Sequence, residues 1–562
     1  MWLVVVDTMQ IQSYIFGSNR LRENVGASYL IDSATRDWAF EAVKDAAPGK
    51  TNIGPRNKLI DSEWIENGLD AEVLYSGGGN FVVLFDDFDK VKKFNYSLSR
   101  RALQEAPGLQ LVIARQEMNW REHVLRDKLY EVFRALAVQK RNHAWSAPLL
   151  GLSVTASCGS TGLPATEVVP GIRGEPGYLA SDEIRAKVDV ARPRQTDTSE
   201  ADRRLQRTIK LAAGYNYPAD FEDMGATVGE YSHIAVGHAD GNGMGQRIRD
   251  IGNKYAVVDK NRDFVLELRK FSISVEDAAK KALNAVLDRL TNQVIDEDGS
   301  KFIEHKPNKS NPKMSIQIEL AKDGSSYYIP FRPIVFGGDD VTFVCDGRLG
   351  LSLATAYLRE FEQQTARAGL GKDSGGLTAC AGIAIVKSHY PFARAYALAA
   401  ELTRSAKSYR TEQNIAGSCL DWHFALSGLG DSIKEIRNRE YQVRAGSLTL
   451  RPVTLNANPK QGHRAWPVVS EGIKAFQGEE WAGRRNKIKA LRDTLREGPS
   501  AVEHFRVAFK ANLPSVLPEM QNWPSTGWQG GSCGYFDAIE LVDWFIPLEG
   551  EVNAPPATVP AS

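Results

Sequence analysis

Residues 334–345 read Ile-Val-Phe-Gly-Gly-Asp-Asp-Val-Thr-Phe-Val-Cys: an apolar strand, a Gly-Gly-Asp-Asp tip and a second apolar strand. Adjacent carboxylates at Asp339 and Asp340, on a hairpin that is otherwise buried, repel one another and lose hydration, which disfavours their charged forms. A divalent cation relieves both penalties, and Mg²⁺ takes one or two carboxylates together with substrate phosphates. Gly337 and Gly338 carry no side chains, so a nucleotide or a backbone can approach closely. The same residue types also suit a plain hairpin turn, where Gly and Asp tolerate positive φ. Support has to come from the rest of the chain.

A second acid stands at the end of another strand-like run, Ile234-Ala-Val-Gly-His-Ala-Asp240. Gly241-Asn242-Gly243-Met-Gly245 follows, and then a helix-like segment. A glycine turn at a helix N-terminus presents free N–H groups and a positive dipole end, which suits phosphate. A calcium-binding EF-hand is excluded, because the twelfth loop position is Ile251 and not Glu. Asp240 with Asp339 and Asp340 could hold two metals, the arrangement that clamps attacking and leaving oxygens in nucleotidyl transfer. The helix-like segment 391–407 ends on Lys407. That residue could reach a triphosphate as a point charge or simply compensate a helix C-terminus.

The elements that must position these residues occur twice and in the same order. A strand ending in Asp is found at Leu3-Val-Val-Val-Asp7 and again at 234–240. A glycine-tipped hairpin is found at 73–85, with Gly77, Gly78, Gly79 and Asn80 at its tip, and again at 334–345. A small-residue strand followed by a proline is read at 152–159 and at 377–384. Helical periodicity fills the gaps at 99–105, 122–138 and 350–366. The pattern predicts a duplicated α+β layer, with a first domain over 1–166, a linker or small connecting module over 167–229 with a helix near 199–213, and a second domain over 230–412. The charged segment 296–325 reads as a surface insertion. Helical spacing at 433–440, 468–477, 483–496 and 499–511, and an amphipathic stretch at 534–546, predict a C-terminal helical domain over 413–549. The Pro- and Ala-rich tail, 550–562, is expected to be disordered.

At 562 residues the chain is too long for one core. Lys plus Arg, 69, equals Asp plus Glu, 69, so no global basic field argues for non-specific nucleic-acid binding. The five cysteines lack a C-x-x-C pair, which supports neither a zinc ribbon nor a disulfide framework and suggests a reducing compartment. No stretch is long and apolar enough for a membrane span, and the apolar run at residues 2–6 is too short for a signal-peptide core. The expectation is a cytoplasmic protein without a membrane partner.

Taken together, residues 240–245, 337–340, 379–386 and the Ala-rich helix to Lys407 resemble the nucleotide-cyclase palm of diguanylate cyclases. The duplicated arrangement is more similar still to the large polymerase/cyclase subunit of type III CRISPR effector complexes. The opening Gln10-Ile-Gln-Ser-Tyr-Ile-Phe-Gly-Ser-Asn-Arg-Leu-Arg-Glu-Asn-Val-Gly-Ala-Ser28 resembles that subunit's first-palm signature.

The resemblance implies two ferredoxin-like palms, the first degenerate, and a C-terminal helical domain. It further implies ATP as substrate, Mg²⁺ or Mn²⁺ as cofactor, and a (cyclic) 3′–5′ oligoadenylate messenger made in antiviral defence. Asp240 and Asp339 would be metal ligands; Asp340 would be a ligand or would help deprotonate the 3′-hydroxyl. Gly241, Asn242, Gly243, Gly337 and Gly338 would seat phosphates, and Lys407 would steady the triphosphate. Gly77, Gly78, Gly79 and Asn80 would line a second nucleotide site without catalytic acids, the role the resemblance favours over a purely structural half. Guide or target RNA and other effector subunits are the implied partners. The chain contains no His-Asp dipeptide, so the family's nuclease domain is expected to be missing and the protein to be a trimmed or stand-alone relative. The same palm chemistry with another product, or a non-catalytic nucleotide-binding scaffold, are the alternatives.

Overall fold

The computed structural model describes residues 1–142, 154–171, 176–193, 198–225, 233–307, 315–371, 375–425, 431–457 and 462–548. The chain divides into two compact units, Met1–Thr208 with Gly243–Asp277, and Ile209–Asn242 with Ala278–Ser562. This grouping differs from the five consecutive segments expected from sequence. Residues 243–277, assigned by sequence to the second palm, group with the first unit, and the segment 167–229 is shared between the two. The expected disordered tail lies outside the described residues.

The first unit is organised by a four-stranded antiparallel sheet of β1 (Trp2–Met9), β2 (Ala71–Gly77), β3 (Asn80–Phe85) and β4 (Gln110–Glu117), in the order β2-β3-β1-β4. Leu3, Val4, Val5 and Val6 are all fully buried, because both faces of β1 are covered. One face packs Leu3 and Val5 against Leu125, Leu129, Val132 and Leu136 of α2 (Leu125–Asn142). The other carries Phe81, which stacks on Phe94 of α1 (Phe88–Glu105) and meets Phe40 edge-on. Helix α1 starts where the Asp87 carboxylate accepts the Asp89 N–H, and it buries Val91, Phe94, Leu98 and Ala102 at helical spacing.

Helix α3 (Met244–Lys254) and the first part of α4 (Asn261–Asn292) also belong to this unit. Arg262 bridges Glu66 and Glu72, and Arg269 also reaches the fully buried Glu72. A buried carboxylate persists only when charges of opposite sign and hydrogen bonds surround it. The Glu72 network therefore fixes where α4 lies along β2.

The second unit repeats the same layout around β5 (His233–Gly241), β6 (Phe331–Gly337), β7 (Asp340–Asp346) and β8 (Ala379–Lys387), and extends it with β9 (Cys419–Ala425) and β10 (Val453–Thr454). The order is β6-β7-β5-β8-β9-β10. Helices α5 (Gly350–Arg367) and α6 (Phe392–Glu412) pack on this sheet. A Cβ on Gly382 would lie 2.3 Å from the Ala399 carbonyl and 2.4 Å from the Thr403 nitrogen. Only glycine lets α6 approach β8 so closely.

The duplication is closer in structure than in sequence. The bulge in β2, between Val73 and Tyr75, recurs in β6 between Pro333 and Val335. One of the three matches read from sequence is corrected. The first-palm counterpart of β8 is β4, not residues 152–159. Residues 152 and 153 lie outside the described residues, and 154–159 form turns with a single bridge from Ser157 to Pro164.

The segment 296–325, expected to be a surface insertion, contributes to a three-stranded sheet of Val294–Glu297, Ser300–His305 and Ile316–Glu319. Helices Ile433–Glu440, Trp466–Gln477, Arg485–Glu497 and Pro499–Phe509 lie where the periodicity placed them. The last amphipathic element shortens to a helix over Phe536–Leu541, anchored by buried Arg451 between Asp537 and Glu540, both at 3.0 Å. All five cysteines are free and buried. Among the described residues no helix is long and apolar enough to cross a membrane.

Candidate active site

The tip of the β6–β7 hairpin and the end of β5 bring the three predicted acids together. Gly337 pairs with Asp340, so the turn has two central residues, Gly338 and Asp339. Gly338 has φ 62° while Asp339 does not have a positive φ, the pattern of a type II′ turn. The register of β7 on β5 pairs Val341 with Ala239 and Thr342 with His238, and the next step places Asp340 beside Asp240. On the other side of β5, Cys380 of β8 pairs with Asp240.

Three carboxyls in this space cannot all be charged at no cost. Burial raises the Asp339 carboxyl above its usual range, and the Asp240 charge adds to the effect; hydrogen bonds from the Asp339 and Gly241 backbones and the Lys407 charge oppose it. Asp340 is raised as well, by desolvation first, then by the charges of Asp240 and Asp339 and by a hydrogen bond to Asp240. Lys407 of α6 lies 2.5 Å from Asp240 Oδ2 and donates to the Gly241 carbonyl at 3.0 Å.

The helix expected to end on Lys407 runs on to Glu412, so Lys407 does not compensate a helix C-terminus; it serves as counter-ion to the acid near the end of β5, a role that neither sequence reading named. Asn242 is buried and points away from a phosphate role. Its N–H donates to the Thr378 carbonyl at 2.8 Å and its amide to Thr378 Oγ1 at 3.0 Å. Gly243, with φ 73°, heads α3. Gly77, Gly78, Gly79 and Asn80 form the tip of the β2–β3 hairpin in the other compact unit.

His238 is a site residue the sequence reading missed. It lies two residues before Asp240, hence on the same face of β5. Its Nδ1 is 3.1 Å from Thr342 Oγ1, its ring meets Tyr396 of α6 edge-on at 5.7 Å, and only 9% of it is exposed. Burial pushes its pKa down to about 4, against the Asp240 charge, so the imidazole is neutral near pH 7. One ligand atom each from His238, Asp240 and Asp340 lie within 4.8 Å of one another. The alternation in Gly-His-Ala-Asp240 was a visible signal, since residues i and i+2 of a strand share a face.

The donor set fits a divalent cation. Burial and the neighbouring carboxylates raise the proton affinity of Asp339 and Asp340, a penalty that a cation would relieve, and Lys407 already bridges a carboxylate and a backbone carbonyl as a cation would.

Residues 233–416 match the family model for the second palm domain of Cas10/Cmr2. No curated protein matches the chain. Among solved structures, the chain is similar to one described as a Csm1–Csm4 cassette in complex with cA4, with a TM-score of 0.48 and 13% identity over 96% of this chain and 68% of that one. A Csm1–Csm4 cassette with AMPPNP gives 0.46 and 14%, over 97% and 69%. A Csm1–Csm4 subcomplex of the type III-A CRISPR-Csm interference complex gives 0.46 and 12%, over 96% and 68%. The stretch that carries Asp240, Asp339, Asp340 and Lys407 therefore resembles the second palm of the type III CRISPR polymerase/cyclase subunit.

Proposed function

We propose that the second palm is a metal-dependent nucleotidyltransferase that takes ATP and joins 3′–5′ linkages into oligoadenylate, closing it into a ring. The observation that carries this reading is the convergence of Asp240, Asp339 and Asp340 from two neighbouring strands, inside a stretch that matches a Cas10/Cmr2 palm. In this reaction the 3′-hydroxyl oxygen of one nucleotide bonds to the α-phosphorus of another, and the bond to the leaving pyrophosphate breaks.

The three carboxylates would hold Mg²⁺ or Mn²⁺, which when bound supplies charge neutralisation for the phosphates and acidifies the attacking hydroxyl. Asp340, whose carboxyl is raised by burial and by the charges of Asp240 and Asp339, is the residue suited to take the hydroxyl proton where it is not occupied as a ligand. With a divalent cation on Asp240, the Lys407 ammonium that pairs with it here would be free to contact phosphate oxygens. Gly337 and Gly338 would leave open space beside their backbone for a nucleotide, whereas Gly241 is buried and its carbonyl already accepts from Lys407. The Gly77–Asn80 tip would serve a second, acid-free nucleotide position. Guide RNA and other effector subunits are proposed partners on the strength of the family match.

Purified protein incubated with each NTP and Mg²⁺ or Mn²⁺ tests the reading. Pyrophosphate release and oligoadenylate masses are expected with ATP, and are expected to vanish in the Asp339→Ala, Asp340→Ala double variant while the fold persists. Undiminished turnover in that variant would overturn the proposal.

A further inference from the structure

The two palms can be superposed residue by residue through their registers, and this isolates His238. Asn80 and Asp340 occupy the same hairpin position, each pairing with the glycine that ends the preceding strand. Counting inward, Val82 corresponds to Thr342, and their partners on the central strands are Val5 and His238. The first palm, which lacks the acids, fills this buried pair of positions with two valines that belong to its apolar core. The second palm, which has the acids, fills it with an imidazole and a hydroxyl.

A buried polar pair in place of a valine pair costs free energy unless each of its polar atoms finds a partner. Thr342 alone satisfies only one ring nitrogen, Nδ1, and thereby fixes the ring's orientation, as outer-shell partners of metal-bound histidines do. The ring shares its strand face with Asp240, and its ligand atom lies within 4.8 Å of those of Asp240 and Asp340.

We infer that His238 is a nitrogen ligand of the metal held by Asp240 and Asp340, and that it biases this site towards Mn²⁺ and similar transition ions over Mg²⁺. Mg²⁺ favours an all-oxygen octahedral shell, whereas imidazole suits the later first-row ions. Thr342 acts through His238 as a positioning residue. The inference rests on the proposed metal site of the second palm and goes beyond it, since the carboxylates alone would give an all-oxygen site.

The test uses the full chain loaded with one equivalent of Mn²⁺ and read by pulsed EPR, not by activity. The expected result is electron spin-echo modulation from a directly bound ¹⁴N, which becomes ¹⁵N modulation when histidine is isotopically labelled. His238→Asn should remove it and weaken Mn²⁺ binding about tenfold, while changing Mg²⁺ binding much less. Mn²⁺ bound through carboxylates with no nitrogen modulation would overturn the role of His238 and leave the metal site intact. Nitrogen modulation that persists in His238→Asn would also overturn it. Failure of wild-type protein to bind Mn²⁺ would overturn the metal site itself. The isotope comparison is made on the wild-type chain, so it stands even if the variant folds poorly.

Discussion

The two palms share the order of four strands, a bulge and an ion pair, and around the acids they differ at four matched positions. In the first, Asp7 at the end of β1 is bridged by Lys140 of α2, which also donates to the Thr8 carbonyl at 3.1 Å. In the second, Asp240 is bridged by Lys407 of α6, which also donates to the Gly241 carbonyl at 3.0 Å. The Asp–Lys pair is therefore part of the fold's inheritance and is not by itself a mark of catalysis. What separates the palms is Gly79 against Asp339, Asn80 against Asp340, Val5 against His238 and Val82 against Thr342.

The turn geometry follows the same division. Gly78 and Gly79 both have positive φ, at 59° and 80°, as a type I′ turn requires. In the second hairpin only Gly338 does, which frees the next position for an aspartate. A one-residue change in turn type thus accompanies the gain of an aspartate at the tip.

The comparison can be broken most sharply at the shared aspartates. Asp240→Asn is expected to lower turnover of ATP about 10³-fold, the scale of losing a group that organises transition-state charge. Asp7→Asn should change turnover less than threefold, as measured by pyrophosphate release. A smaller contrast is expected for the lysines. Lys407→Ala should lower kcat about tenfold by removing a phosphate contact, whereas Lys140→Ala should leave kcat unchanged and lower stability by about 1 kcal/mol in denaturant titration.

A third contrast concerns pH. Asp339 and Asp340 have carboxyls raised in the folded, metal-free protein, so the folded state binds their protons more tightly than the unfolded chain does. Their contribution to stability is complete below the unfolded carboxylate pKa, near 4, and is lost as pH rises through the raised values. The metal-free melting temperature should therefore decline over that window. The decline should flatten in Asp339→Asn, Asp340→Asn and on adding Mn²⁺. No such change is expected from Asn80→Ala in the first palm. The smallest effect is expected for Thr342→Val, which strands the His238 Nδ1 and should lower stability by about 1 kcal/mol. Its first-palm counterpart is already a valine.

How much of this was legible in the sequence depended on burial. The β5, β6 and β7 strands and the Asp240–Asp339–Asp340 set were readable because interior strands have continuous apolar runs and their acids interrupt them. The first-palm match to β8 was misread at 152–159 because composition was matched, Thr-Ala-Ser-Cys against Thr-Ala-Cys-Ala. The true counterpart, β4, lies at the edge of its sheet, and only the alternate residues Val112 and Ala114 are buried, while Arg115 is exposed and Gln116 half-buried. An edge strand and a central strand in equivalent positions need not look alike.

The C-terminal helices were legible from periodicity. The small sheet of Gln442–Val443, Gly446–Ser447, Trp528–Gln529 and Ser532–Cys533 was not, since two-residue strands carry no periodic signal. Nor was the grouping of 243–277 with the first unit, which depends on tertiary pairs such as Arg262 with Glu72. His238 was missed because its partner, Thr342, is fixed by strand register and not by sequence proximity.

The central claim is that metal chemistry belongs to the second palm alone. Its most direct test is the number of Mn²⁺ ions bound per chain at equilibrium, measured in parallel for wild type, Asp339→Asn with Asp340→Asn, and Asp7→Asn with Asn80→Ala. The account predicts that binding is lost in the second-palm variant and unchanged in the first-palm variant. Mn²⁺ retained at wild-type stoichiometry after removal of Asp339 and Asp340, or lost on altering Asp7 and Asn80, would contradict it.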